Sequence, residues 1–124
     1  SSAASDVYKR QALASGGVAR SATSSVSFES TATAILSFNA SVFRSAEAFI
    51  TITDSANVEY SSMKAIIIHD GSTAYVSTYG VTNTGSTDLA TISADHDGSN
   101  TVSLKATTTG GASSAVVQYS LQGV

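Results

Sequence analysis

VEYSSMKAIIIHDGSTAYVSTY, from Val58 to Tyr79, is the stretch on which the fold turns. β-Branched and aromatic residues run up to Asp70-Gly71 and resume beyond it. An Asp-Gly pair accepts positive φ at little cost, so the stretch reads as two long strands joined by a tight turn. The first arm ends in Ala65-Ile66-Ile67-Ile68, an unbroken apolar run of the kind expected of a strand covered on both faces, which predicts a central place in its sheet. The second arm alternates. Ala74, Val76 and Thr78 fall on one face and Tyr75, Ser77 and Tyr79 on the other, as in a half-buried strand.

The same period of two extends outward on both sides. Upstream, Val26 and Phe28, then Ala34, Leu36 and Phe38, alternate with polar residues. Phe43-Arg44-Ser45 reads as a connector, and Ala46 to Asp54 resumes as a strand with Phe49, Thr51 and Thr53 opposite Ala48, Ile50 and Ile52. Downstream, a turn cluster at Asn83-Thr84-Gly85-Ser86 precedes a strand over Leu89 to Ala94. Asp97-Gly98 closes a second hairpin into Thr101 to Thr107, and Ala115 to Leu121 ends the chain as a strand. Seven or eight strands at this spacing predict an all-β fold, an antiparallel β-sandwich of jelly-roll or immunoglobulin-like type, over residues 26–124.

Composition sets the bounds. A chain of 124 residues fits one domain with a modest core. Ser and Thr supply 39 of those residues while 42% are hydrophobic, a mixture too apolar for disorder and too Thr-rich for a helical bundle. The formal net charge of -3, with only six scattered Lys and Arg, argues against nucleic acid as a partner. There is no Cys, which excludes a disulfide framework or a thiolate metal site. No apolar run approaches the roughly 20 residues of a membrane-spanning helix.

Ser1 to Gln11, SSAASDVYKRQ, resembles the in-frame translation of a transposase sequencing adapter and is set aside as a cloning scar. The expectation that follows is a C-terminal fragment of a larger protein. Residues 12–25, with the Gly16-Gly17 pair, read as a flexible lead-in or linker.

Few residue groups suggest chemistry. Asp95, Asp97 and Asn100, around His96 and Gly98, have the oxygen-rich spacing of a calcium loop but lack its distal bidentate Glu, and a plain hairpin turn asks for the same residues. His69 and His96 would form a two-histidine metal pair only if the two hairpin tips met in space. No metal and no other cofactor is therefore expected. Glu47, Asp54 and Glu59 could supply the opposed carboxylates of a glycosidase, yet each more simply occupies the polar face or end of a strand. No nucleophile elbow is present, and the chain reads as non-enzymatic. Outward tyrosines, Tyr60, Tyr75 and Tyr79, are candidates for stacking on sugar rings or for a subunit contact. Arg44 is a candidate partner for a carboxylate of a neighbouring strand or chain.

With those residues in view, Phe38 to Val124 resembles a domain of virion structural proteins of marine tailed phages, in particular cyanophage tail-fibre-like proteins. The resemblance lies in Ser41-Val42-Phe43-Arg44-Ser45-Ala46, in Phe49-Ile50-Thr51-Ile52-Thr53, in Ile67-Ile68-His69-Asp70-Gly71-Ser72-Thr73-Ala74-Tyr75-Val76, and in Tyr79-Gly80-Val81. It implies a β-sandwich appended to a fibre, neck or capsid-associated component of the extracellular particle. It also implies assembly as a homo-oligomer, a trimer above all, with other virion proteins and a host-surface glycan as further partners and with no catalytic residues. The alternative from the residues themselves is a carbohydrate-binding module of a secreted bacterial surface protein.

Overall fold

In the structure, a computed structural model that describes residues 18–22, 25–108 and 111–124, the period-two patterns become nine strands. They are β1 (Val18–Ala22), β2 (Val26–Phe28), β3 (Thr33–Asn39), β4 (Phe43–Asp54), β5 (Glu59–His69), β6 (Ala74–Asn83), β7 (Thr91–His96), β8 (Thr101–Thr107) and β9 (Ser113–Gly123). All pairings are antiparallel. The larger sheet runs β1-β9-β4-β5-β6, with β2 pairing β9 beside β1, and the smaller runs β3-β8-β7. This is the expected all-β sandwich, with eight strands from Val26 onward. The adapter-like segment 1–11 lies outside the described residues. Within the stretch expected to be a lead-in, Val18–Ala22 forms β1 along Gln118 to Gln122 of β9. An edge strand can be held by its backbone ladder alone, which leaves no alternation to read in the sequence.

The core lies between the inner faces. Ile50, Ile52, Ala65, Ile67 and Val117 of the larger sheet and Ile35, Leu36, Val102, Leu104 and Ala106 of the smaller are all buried in one cluster. On β8 and β9 a period of two sets the inner face: Val102, Leu104 and Ala106 point inward, as do Val117 and Leu121. Three register shifts interrupt simple alternation, one of them between β5 and β6, where Ser62 and Lys64 face Thr82 and Tyr79. The β3–β8 register shifts between Ala34 and Leu36, so Ile35 is buried together with Leu36 and Ala34 is left exposed, because the extra residue of a bulge resets which side faces in. The β4–β9 register shifts between Phe43 and Ser45, so the segment expected to be a connector is the bulged start of β4.

The apolar run of β5 also differs from expectation. Ala65 and Ile67 are fully buried, but Ile66 and Ile68 are 46% and 48% exposed. Strand β5 is interior to its sheet, yet that sheet has only one covered face. The other faces outward, and side chains alternate across a strand whatever their hydrophobicity.

Candidate functional site

The outer face of the larger sheet is built by register. Across four strands the pairings give one row of Gln122, Ser45, Ile68 and Tyr75, the next of Ser120, Glu47, Ile66 and Ser77, and a third of Gln118, Phe49, Lys64 and Tyr79. Large apolar side chains in these rows remain about half exposed: Phe49 at 42%, Tyr75 at 56% and Tyr79 at 41%, beside the two isoleucines. The Tyr79 hydroxyl reaches Glu47 Oε2 at 3.5 Å, spanning the strand between them. Of the tyrosines predicted from sequence, Tyr75 and Tyr79 share this cluster. Tyr60, 44% exposed and opposite Thr53, is on the same face but about 14 Å further along the strand at ~3.4 Å per residue.

Among the described residues Arg44 makes no ion pair within the chain. Its Nη1 donates to the His69 carbonyl at 3.1 Å, pinning the bulge of β4 to the end of β5, since a planar guanidinium with five donors reaches a backbone oxygen readily.

That end of the sandwich holds a feature the sequence reading passed over. The tetrapeptide His-Asp-Gly-Ser occurs twice, at 69–72 and 96–99, and begins its turn the same way both times, although the second hairpin closes one residue later. Asp70 Oδ1 accepts from the amides of Ser72 and Thr73 at 2.9 and 2.8 Å. Asp97 Oδ1 accepts from those of Ser99 and Thr101 at 2.8 and 3.1 Å. The glycines take φ of +98° and +82°, the left-handed region that only a residue without Cβ enters cheaply. Each glycine amide donates to the Nδ1 of the preceding histidine, at 3.0 Å in the first turn and 2.9 Å in the second. A ring nitrogen that accepts must carry a free lone pair, so both imidazoles hold their proton on Nε2. These amides set the carboxyls as well: Ser72 first for Asp70, and Ser99 first for Asp97, hold them below the ordinary value of 3.8 by stabilising the charged form.

The two tips do meet. His69 and His96 pack edge to face with ring centroids 5.7 Å apart, and Phe38 lies 6.4 Å from His69. His69, buried, donates Nε2–H to the Phe43 carbonyl at 2.8 Å. His69 has both its nitrogens engaged, whereas His96 Nε2 is buried without a hydrogen-bond partner; the two rings clasp one sheet to the other by packing. Two of the three oxygen candidates hold other partners through their carboxylates: Asp95 lies 3.6 Å from Lys105 Nζ and Asp97 holds its turn, while the backbone carbonyl of Asn100 accepts from the Ala40 amide at 2.6 Å. No group of three His, Asp or Glu placed to hold a metal occurs among the described residues.

Asp54 and Glu59, opposite each other where β4 turns into β5, line a cavity of about 160 Å³ with Asp88 and Thr108, whereas Glu47 lies on the outer face. Asp54 is tied to the Asn57 side chain at 2.9 Å, which leads the causes lowering its carboxyl from 3.8, and Asp88 accepts from Asn83 Nδ2 at 2.8 Å. The first bond closes the β4–β5 turn, and the second ties the end of β6 to the loop that follows it.

No protein-family model matches the chain, and no curated protein sequence is recognisably similar to it. Among solved structures, 86% of this chain superposes on 22% of the chain of the tailspike protein of Acinetobacter phage vB_ApiP_P1, with a TM-score of 0.50 and 13% identity. This chain thus spans about a fifth of that one's length, and at such identity the likeness is one of fold.

Proposed function

We propose that this chain is a non-enzymatic module of a phage virion, a structural or host-attachment β-sandwich of a tail-fibre, neck or capsid-associated protein. It acts by contact rather than turnover. The observation that carries this reading is the outer face of the larger sheet, where Phe49, Ile66, Ile68, Tyr75 and Tyr79 stay half exposed in adjoining rows. A contiguous apolar patch with aromatic residues and a polar border is what a protein contact surface looks like. The similarity in fold to part of a phage tailspike supports the setting, as does the resemblance in the FRSA and HDG-T-AY segments. The clasped, hydrogen-bonded turns and the absence of Cys suit a particle that persists outside a cell.

A glycan-binding role for the same face has one specific feature in its favour, the exposed Tyr79 with its hydroxyl near Glu47. Both readings are tested by incubating the full chain with a glycan array and with bacterial surface polysaccharides while reducing ends are assayed. The structural role predicts neither binding nor release. Binding lost on Tyr79→Ala assigns the face to a glycan, and release of reducing ends overturns the non-enzymatic reading.

A further inference from the structure

We infer that the occupant of the outer face is a second copy of this chain, packed sheet to sheet about a twofold axis. This rests on the reading of that face as a contact surface and names its partner.

The argument is one of charge and size. Within the block formed by Phe49, Ile66, Ile68, Tyr75 and Tyr79 there are two charges, Glu47 and Lys64. They are opposite in sign and sit on neighbouring strands, Glu47 across from Ile66 and Lys64 across from Phe49. Among the described residues the single ion pair is Asp95 with Lys105, so neither charge at the centre of this apolar patch is neutralised within the chain. An isologous interface requires that if one residue meets a second, the second meets the first. A lone opposite pair placed side by side satisfies that requirement: Lys64 of each copy meets Glu47 of the other. The axis that does this lies in the interface, crosses the line between the two charges at its midpoint, and runs close to the Phe49–Ile66 diagonal. Phe49 and Ile66 then each pack against their own counterparts.

The area suffices. Four strands at ~4.8 Å and four rows at ~6.7 Å, the fourth being that of Val116, Thr51, Ser62 and Thr82, cover roughly 500 Å² of plane. Protruding side chains raise this toward the ~600–800 Å² per partner of a specific interface. Gln118, Ser120 and Gln122 of β9 give the polar rim. The face is one side of a β-sheet, and two such faces pack at ~10 Å.

The test is the solution mass of the full chain by light scattering and sedimentation from about 1 µM to about 1 mM, the range over which a modest interface dissociates. The expected result is a monomer–dimer equilibrium. Lys64→Glu and Glu47→Lys, both exposed changes with far-UV circular dichroism as the folding control, each shift it at least tenfold toward monomer. Mixing the two variants restores the dimer, because the swapped charges are complementary only between unlike copies. A wild-type monomer throughout the range, a threefold mass, single variants that associate as tightly as wild type, or a mixture that stays monomeric would each overturn the inference. A monomer whose Tyr79-dependent glycan binding is positive gives the face to a glycan instead. A monomer without reducing-end release leaves the non-enzymatic reading standing, so the two failures are distinguishable.

Discussion

Ile66 and Ile67 are adjacent, chemically identical and equally apolar in the sequence, and the structure assigns them opposite surroundings. Ile67 is fully buried in the core while Ile66 is 46% exposed on the outer face. Truncating Ile67 to Ala removes buried carbons and leaves a cavity between two sheets that relax only in part, a loss of about 2–5 kcal/mol. Truncating Ile66 removes the same three carbons, worth ~2.4 kcal/mol if fully buried at ~0.8 per methylene. With about half already in water and no cavity formed, the cost is ~1 kcal/mol, plus a few tenths for the poorer strand propensity of Ala. Urea denaturation near 1 µM, where the outer face is free, measures both. With a slope of ~2 kcal/mol/M the midpoint falls by about 1–2.5 M for Ile67→Ala and about 0.5 M for Ile66→Ala, with slopes unchanged. Equal losses at that dilution would refute the one-faced burial of β5 and return the run to the two-sided cover that its composition suggests.

Three further outcomes follow from the turns and their clasp. Val58 has φ of +52° and is 69% exposed at the β4–β5 turn, a conformation costly for a β-branched residue, so Val58→Gly raises the melting temperature, with a gain of about 1 kcal/mol, and a loss would count against strain there. His69→Ala forfeits the bonds to Phe43 and Gly71 with a buried ring, about 2–4 kcal/mol. In a double-mutant cycle with His96→Ala it shows a coupling of roughly 0.5–1.5 kcal/mol, and additivity would mean that the rings do not touch. The Asp70 and Asp97 carboxyls lie below 3.8 when folded, so the unfolded chain takes up protons first and stability from these groups is complete above about pH 4 and lost as pH falls through the folded values. Melting temperature against pH from 6 to 2 should steepen below 4 for wild type and flatten for the Asp70→Ala/Asp97→Ala double variant, and identical profiles would refute the assignment.

The two turns show what a local reading captures and what it overlooks. Asp70-Gly71 and Asp97-Gly98 are legible as hairpin turns because the dipeptide supplies its own chemistry: a carboxylate for the following amides and a residue free of Cβ where φ is positive. The histidine before each is part of the same device, holding the glycine amide on Nδ1. The repeated tetrapeptide was the available signal. Two identical tetrapeptides imply the same His–Gly and Asp–Ser bonds at the start of each turn, although only packing could bring the histidines together.

The sequence by itself determined the strands after β1 and the turns between them, though not the start of β4, since a period of two and turn residues are properties of a few neighbouring positions. It determined that Tyr75 and Tyr79 share a face of β6, and that Val102, Leu104 and Ala106 share one of β8, for the same reason. Tertiary structure alone decided the rest. An unbroken run such as Ala65 to Ile68 carries no period, so which of its residues meet water depends on whether a second layer covers the sheet. The bulges at Ile35 and Arg44 depend on registers with β8 and β9, more than 60 residues away in the chain. Register between distant strands is set by the core they close together, and so are the meeting of the two histidines and the outer face on which Glu47 and Lys64 stand among exposed apolar side chains.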